Sequence, residues 1–175
     1  IDEECIRPVW KMEDLFTVKH QIDAATLTTP EAKAKAFIRA AVKSRKNYKG
    51  SGNPVMFMSE DMLADCLLLE DKNERIIYDT EAKLAAALRV REIITVPIME
   101  GDRVKRTDDN GSYELAGLYL NLNDYNVGTN KGGEINFFDD FDIDYNQQKY
   151  LMETRCSGTL TKPYSAVAIE FKTAN

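Results

Sequence analysis

The sequence predicts an α+β fold with a mainly antiparallel sheet flanked by helices. Apolar residues repeat with helical spacing through the first half of the chain, and from Val90 the apolar period changes to two. Asn110-Gly111 is among the strongest signals for a β-hairpin, which favours antiparallel pairing. Because helices come early and strands late, the order favours α+β over an alternating α/β arrangement.

The composition is that of one globular domain with a real core. Of the 175 residues, 43% are hydrophobic and 30% are charged. The net charge of -6 argues against a non-specific nucleic-acid binder, and no apolar run approaches the length of a membrane span. No signal peptide is visible, and the first residue is Ile1 rather than Met, so we expect a fragment or a processed chain.

The first half of the chain predicts an irregular start followed by three helices. Residues 1–27 mix charged and apolar side chains without a clear period, so we expect irregular or strand-like structure there. The first helix covers residues 30–46, with Thr28 as its cap. Ser59 and Thr80 are the expected caps of the two helices that follow.

The second half predicts strands. A strand at residues 94–98 contains Pro97, which belongs at a sheet edge or a bulge because proline has no N–H to donate. The turn signals are Gly101-Asp102 and Asn110-Gly111. The other expected elements are strands at 55–58, 118–122, 140–145 and 166–171, a polar loop at 123–133, and a helical or extended segment at 147–156.

The predicted core consists of apolar residues at helical or alternating spacing. These residues are Leu63, Leu67, Leu84, Leu88, Val96, Ile98, Leu118, Leu120, Phe141, Ile143, Val167 and Ile169.

Carboxylates alternate with apolar side chains between Asp140 and Tyr145. In an extended strand this places Asp140, Asp142 and Asp144 on one face. Such a row needs solvent, a metal ion or a basic partner, because a buried unpaired carboxylate is very costly. A calcium loop is disfavoured, since the sixth and twelfth positions are Tyr145 and Leu151 rather than Gly and Glu. We favour a row that faces water or a basic surface on another subunit, with no metal and no cofactor.

Seven Lys or Arg residues lie between Lys33 and Lys49, in and just after the first predicted helix. They form either a solvated face or a contact for phosphate or for an acidic protein surface. We hypothesise that this basic helix and the acidic strand meet across a subunit boundary.

Residues that could carry catalysis are scarce. His20 is the single histidine, and Cys5, Cys66 and Cys156 are far apart and lack metal-ligand spacing. The cysteines are expected to be buried or incidental thiols in a reducing compartment. The loop Gly128 to Gly133 lacks the pattern of a phosphate-binding loop, which favours a flexible connection. We therefore predict no catalytic site.

Several ordered segments resemble one known family. The residues that carry the resemblance are Tyr48-Lys49-Gly50-Ser51-Gly52, the loop from Asp124 to Gly133, Asn146-Gln147-Gln148-Lys149-Tyr150, Glu153-Thr154-Arg155 and Lys162-Pro163-Tyr164-Ser165-Ala166. From about Arg39 to Phe171 the chain resembles the middle of the major capsid proteins of tailed bacteriophages, which have the Hong Kong 97-type fold.

The resemblance implies a fragment of a virion shell subunit. It implies an irregular segment at 1–29, the end of a long helix and a turn at 30–52, and an axial-domain-like α+β domain at 53–175. The chain is too short to hold the arm, the extended loop and the full peripheral domain of that family. The implied function is structural: a subunit of a phage or prophage icosahedral capsid, made in the bacterial host cytoplasm, that self-assembles into capsomers and has no catalytic site.

The implied partners are copies of the chain itself, with scaffolding or portal proteins and non-specifically packaged DNA as further contacts, and no membrane. The candidate contact residues, chosen from charge and loop position, are Lys43, Arg45, Asn126, Gly128, Lys131, Gly132, Asp140, Asp142 and Asp144. Two alternatives stay open. One is a metal-assisted enzyme that uses the aspartates, and the other is a nucleic-acid-binding module that uses the basic helix.

Overall fold

A mixed six-stranded sheet forms the centre of the fold, with helices on both of its faces. The computed structural model describes residues 2–100, 105–108, 110–129, 135–153 and 156–173. In the central sheet the strand order is β1-β10-β5-β2-β3, and β4 pairs with β5 beside this path. The strands are β1 (Thr17–Asp23), β2 (Val55–Met58), β3 (Ile93–Thr95), β4 (Lys105–Asp108), β5 (Gly111–Leu120) and β10 (Ala166–Thr173).

In the part of the chain that the structure describes, four α-helices and three short 3₁₀ helices accompany the sheet. The α-helices are α1 (Asp2–Lys11), α2 (Pro30–Ser44), α3 (Glu60–Leu67) and α4 (Glu81–Leu88), and the 3₁₀ helices are Arg45–Asn47, Pro97–Met99 and Leu122–Asp124. Among the described residues, no helix is both long enough and apolar enough to cross a membrane.

Two further strand pairs project from the end of β5 and return to the start of β10. The first pair is β6 (Tyr125–Thr129) with β9 (Cys156–Leu160), and the second is β7 (Asn136–Asp142) with β8 (Gln147–Glu153). We call these two antiparallel pairs together the arm. Since Leu120 pairs with Ala166 across the central sheet, the arm leaves and rejoins the sheet at one point.

Alternating residues of the central strands serve two separate cores. On one face, Met56, Tyr119 and Val167 pack with residues of α2, α3 and α4. On the opposite face, Phe57 and Leu118 pack with residues of α1. The strands are therefore covered on both sides, as near-continuous burial along β2, β5 and β10 requires.

The α+β class is confirmed, and antiparallel pairs predominate. Five strand pairs are antiparallel, and two, β1 with β10 and β2 with β3, are parallel. The expected hairpin at Asn110-Gly111 joins β4 to β5, where Asp108 pairs with Gly111. The strand predicted at residues 94–98 is wrong at its C-terminal end, because β3 stops at Thr95 and Pro97 begins a 3₁₀ helix. The strand does lie at a sheet edge. The Gly101-Asp102 turn lies outside the described residues.

The irregular start predicted for residues 1–27 is wrong in its first part. Residues 2–11 form α1 even though Pro8 lies inside the helix. Cys5, Ile6, Val9 and Trp10 form a fully buried stripe at helical spacing. Burial of this stripe outweighs the cost of proline inside a helix, which is about 3 kcal/mol in exposed hosts.

Some predicted boundaries are also corrected. The side chain of Thr29, not Thr28, caps α2 by accepting a hydrogen bond from the Ala32 N–H, because Pro30 occupies the first helical position. Thr80 is at the N-cap of α4 but makes no side-chain capping bond. Residues 147–153 are extended, and the expected polar loop contains strand β6. The division at 29/30 and 52/53 stays a prediction.

The core prediction holds for the central sheet and fails on the arm. Leu63, Leu84, Leu88, Val96, Leu118, Leu120, Val167 and Ile169 are buried, and Leu67 and Ile98 are partly buried against the two cores. Phe141 and Ile143 are 51% and 84% exposed. They lie on the β7–β8 pair, which has no second layer over it within the described residues, so alternation alone could not bury them.

A buried carboxylate joins four elements on the side of α1. Glu170 of β10 is fully buried and accepts hydrogen bonds from Trp10 Nε1 at 3.1 Å and Arg106 Nη2 at 2.9 Å. Gln21 of β1 lies at 3.4 Å from the same carboxylate. The Arg106 guanidinium also lies 4.7 Å from the centre of the Tyr113 ring. The register of β10 against β5 shifts between Ile169 and Glu170, which is where a bulge re-aims a side chain.

We expect Arg106→Met to destabilise the fold by about 3–5 kcal/mol, because it leaves the Glu170 charge buried without its cation. Adding Glu170→Gln should recover part of this loss by removing the charge while keeping an acceptor for Trp10. Urea unfolding followed by circular dichroism measures both variants. Arg91→Met is the matched control, since its pair with Glu92 is exposed and should cost less than about 1 kcal/mol. Equal stability of the Arg106 and Arg91 variants would contradict this role for the buried pair.

Candidate functional site

The acidic strand predicted from the sequence is the distal part of the arm. Asp140 and Asp142 lie on one face of β7, and Phe141 lies on the other, as the alternation predicts. The alternation ends at Asp142, however, because residues 143–146 form the turn to β8. Asp144 is therefore in the turn, where its N–H donates to Asp142 Oδ1 at 3.1 Å.

The β7–β8 pair exposes both of its faces. Cross-strand partners share a face, so one face carries Phe137, Asp139, Phe141, Gln148, Tyr150 and Met152 and is mainly apolar. Its four large apolar side chains are between 51% and 70% exposed. The opposite face carries a mixture of charged and apolar side chains: Phe138, Asp140, Asp142, Lys149 and Leu151. A two-stranded hairpin of this kind is marginally stable by itself, so its faces are suited to contact with another surface.

The charges on the arm are only partly paired. Lys149 forms an ion pair with Asp142, its near neighbour on the same face. Within the described residues, Asp140 and Asp144 take part in no ion pair. Across the same ranges, no group of three or more His, Cys, Asp or Glu side chains is arranged to hold a metal ion. The aspartates thus lie along an outward-facing strand and turn rather than around a pocket.

The base of the arm is tied to the turn that follows α2. Asp124 is buried and accepts hydrogen bonds from the Ser51 N–H at 2.7 Å and the Ser51 hydroxyl at 2.5 Å. Its backbone carbonyl accepts the Thr161 N–H at 3.2 Å. A side chain at Gly50 would meet the Asp124 carboxylate at 2.8 Å, so glycine is required for this close approach. The polar loop in the sequence gave no signal that Asp124 would be buried.

The basic residues of α2 and its C-terminal turn are mostly exposed. Lys43 is exposed, while Arg45 is half-buried with its guanidinium 4.6 Å from the centre of the Tyr48 ring. Arg45 Nε is buried and has no hydrogen-bond partner. Lys49 lies over the Tyr164 ring at 4.9 Å. This region is therefore a cationic surface whose arginine is held by an aromatic ring rather than by an acid.

The structure places the candidate contact residues in two separate regions. Lys43 and Arg45 lie at the end of α2, and Asp140, Asp142 and Asp144 lie at the far end of the arm. Asn126 and Gly128 lie on β6, where Gly128 pairs with Ser157 and Asn126 Nδ2 lies 3.4 Å from the Thr161 hydroxyl. Lys131 and Gly132 lie outside the described residues. In the described part of one chain, no ion pair joins the two regions.

Solved structures share this fold. A virus-like particle from Pyrococcus furiosus matches with a TM-score of 0.54 and 13% identity, over 96% of this chain and 62% of that chain. The capsid of an empty GTA particle matches with a TM-score of 0.52 and 11% identity, over 91% of this chain and 55% of that chain. A phage-related protein from Bordetella bronchiseptica RB50 matches with a TM-score of 0.51 and 15% identity, over 96% of this chain and 60% of that chain.

These likenesses show that the chain shares its fold with a virus-like particle and with a capsid. The chain spans between 55% and 62% of the length of these three structures. No family model and no curated protein matches the sequence.

The pKa of Tyr48, beneath Arg45, gives a pH test of this region. Burial, reinforced by the nearby Asp124 carboxylate, raises the pKa of Tyr48 from 10.0 to about 12, and Arg45 opposes the shift. A raised pKa in the folded state means that the neutral phenol stabilises the fold below pH 10 and that this stability is lost as the pH rises toward 12.

We expect the thermal midpoint of the native chain to fall more steeply between pH 10 and 12 than that of Tyr48→Phe. Differential scanning fluorimetry across this range measures the difference. Tyr150→Phe, on the exposed hairpin, is the control and should behave like the native chain. Parallel curves for the native chain and Tyr48→Phe would show that this phenol does not couple folding to pH.

Proposed function

We propose that this chain is a structural subunit of the icosahedral capsid shell of a phage or prophage, with the Hong Kong 97-type fold, and that it acts by self-assembly into capsomers. The observation that carries the proposal is the fold likeness to a virus-like particle and a capsid over at least 91% of the chain. The fragment assignment, with an axial domain at its centre, belongs to the same proposal, since the chain spans only part of those structures.

The proposal explains why the arm and α2 expose apolar and charged side chains: they would form contacts between subunits. A shell subunit contacts several copies of itself through repeated weak interfaces, and head-to-tail contacts close into rings when the rotation permits. The arm presents apolar and acidic side chains on a marginally stable hairpin, and α2 presents exposed cations. Oppositely charged surfaces of this kind set orientation and speed encounter more than they add affinity.

The proposed contact residues are those at the end of α2 and along the arm. Lys43 and Arg45 meet acidic groups of a neighbour, and Asp140, Asp142 and Asp144 meet basic ones. Asn126, Gly128, Lys131 and Gly132 contribute the loop side of the contact. The mature location is the virion capsid, after synthesis in the host cytoplasm. Scaffolding or portal proteins and packaged DNA make secondary contacts.

The direct test is the size and shape of the purified chain. We expect analytical ultracentrifugation to show species that grow with protein concentration, and negative-stain electron microscopy to show rings or closed shells. Raising the salt concentration should shift the distribution toward monomers, because exposed charge contacts are screened. A monomer that persists at every concentration and salt level, and that also fails to enter particles when co-expressed with a related full-length capsid protein, would rule the function out.

Charge reversal tests the proposed contact regions. We expect Lys43→Glu with Arg45→Glu to weaken assembly, because like charges then face each other across the interface. Reversal of Asp142 and Asp144 to lysine in the same chain should restore it. The matched control is Lys33→Glu with Lys35→Glu, which makes the same charge change at the other end of α2. Sedimentation measures assembly, and a failure of rescue in a folded quadruple variant would argue against pairing of these regions.

A further inference from the structure

A second basic feature lies beside the end of α2 and was not predicted from the sequence. A groove of about 400 Å³ lies between the C-terminal ends of α2 and α4 and the turn before β2. Its lining residues are Val42, Arg45, Lys46, Asn53 and Arg89, and we call it the basic groove. Three cations and no carboxylate line this groove, so it is suited to an anionic group.

The cations of the basic groove are not neutralised within the described part of the chain. No ion pair there involves Arg45, Lys46 or Arg89. Arg45 is held in place by its contact with the Tyr48 ring, and its buried Nε lacks a partner. A guanidinium positioned in this way loses little freedom when it binds a carboxylate, for which its forked geometry is matched.

Arg89 occupies a backbone position that normally favours glycine. It is the C-cap of α4 with a left-handed conformation, φ 58° and ψ 44°. Basic side chains often follow helix C-termini because they complement the helix dipole. At this C-cap the Arg89 side chain is part of the lining of the groove.

The turn of the arm carries the complementary chemistry. Asp142 and Asp144 flank Ile143, and Tyr145 follows them. Ile143 and Tyr145 are 84% and 74% exposed, the two most exposed large hydrophobic side chains described. Asp142 is already paired with Lys149, and its side chain is only 14% exposed. The turn therefore presents the Asp144 carboxylate beside two apolar groups, whereas the basic groove presents three cations beside Val42, which is 44% exposed.

Within the described part of one chain, no ion pair joins the turn to the basic groove. The base of the arm is anchored next to the groove, since Asp124 bonds to Ser51 two residues before Asn53. The cations of the groove and the exposed side chains of the turn are therefore both available to a second copy of the chain.

We propose that the turn at residues 143–146 docks in the basic groove of a second copy of this chain. Asp144 pairs with the cations Arg45, Lys46 and Arg89, and Ile143 and Tyr145 pack on Val42. This inference rests on the proposed function and names the partner of its contact residues. Each copy has one turn and one groove, so the contact is head-to-tail and extends into a ring or lattice.

A second copy fits the groove better than nucleic acid does. The apolar Val42 at its rim gives nothing to a phosphate backbone, and the net charge of -6 repels one at long range. The turn of the arm supplies a carboxylate and two apolar side chains in three consecutive residues, Ile143 to Tyr145.

Photo-crosslinking tests the docking directly. We replace Tyr145 by p-benzoylphenylalanine in ¹⁵N-labelled chain, mix it with unlabelled chain and identify crosslinked peptides by mass spectrometry. We expect crosslinks between copies, from position 145 to peptides that contain Val42, Lys46 or Arg89. Lys46→Glu with Arg89→Gly should reduce them by about tenfold through loss of charge-assisted bonds, and Lys33→Glu with Lys35→Glu should not. Arg89→Gly should not lower the thermal midpoint, because glycine suits the left-handed position.

Mixing two defective variants gives a second readout. A chain with Asp144→Asn and Tyr145→Ser has an intact groove, and a chain with Lys46→Gln and Arg89→Gly has an intact turn; the two altered surfaces carry no opposite charges that could pair with each other. Each alone should remain largely monomeric, and the mixture should form one-to-one pairs that do not grow.

If the native chain assembles but its crosslinks from position 145 lie elsewhere, or lie only within one copy, the docking is overturned and the proposed function still stands. A native chain that never associates overturns both. Oligonucleotide binding that depends on Lys46 and Arg89, without crosslinks between copies, assigns the groove to phosphate instead.

Discussion

The buried carboxylate of Glu170 is the interaction on which the arrangement of layers depends. A charge with no solvent exposure is tolerated only when it is paired and hydrogen-bonded, and Glu170 obtains both from Arg106 and Trp10. These partners come from β4 and from α1. The requirement to satisfy one carboxylate thus fixes a helix and an edge strand against the central pair β5–β10. Because α1 also packs against β9, the same constraint extends to the base of the arm.

In the arm, the residues that stabilise the fold are separate from those that are exposed for contact with another molecule. Its base is secured by hydrogen bonds of Asp124 with Ser51 and Thr161 and by the pairing of Leu120 with Ala166. Its distal strands contribute little to either core, since the large side chains of β7 and β8 are more than half exposed. Substitutions near the turn can therefore alter contacts with a neighbour while the central sheet remains folded. Under the proposed docking, this independence lets the groove and the turn be changed separately.

The sequence predicted those parts of the fold whose signals are local. Ser59 caps α3 through the Met62 N–H, and the Asn110-Gly111 turn joins β4 to β5. The buried stripes of α3 and α4 also lie where their spacing placed them. It failed for α1, where a proline signal competed with a stripe whose burial depends on a sheet formed far along the chain. It also failed for Phe141 and Ile143, because alternation shows that two faces differ but not that either is covered.

The site was predictable in its charges and not in its geometry. The acidic alternation at Asp140 and Asp142 and the basic residues Lys43 and Arg45 are visible in the sequence because they are clustered. Arg89 follows the apolar stripe of α4 with no local signal, and it joins Arg45 and Lys46 only because two helices end beside the same turn. Likewise, the sequence shows Asp124 only as one acid in a polar loop, and its burial depends on contacts with Ser51 and Gly50, which are distant in the chain. Contacts between residues distant in sequence carry no periodic pattern, and sequence reasoning has no access to them.

Under the proposed docking, assembly has a direction because each chain carries one turn and one groove. A symmetric patch would pair two copies and stop, whereas a turn that enters a different surface leaves a free groove and a free turn at the ends of every assembly. Growth then ends only when the rotation between copies closes a ring, which makes the angle of the arm relative to the sheet the quantity that sets the number of copies. The anchoring of that arm at Leu120–Ala166 and Asp124–Ser51 is accordingly where small changes in the fold would alter the size of an assembly.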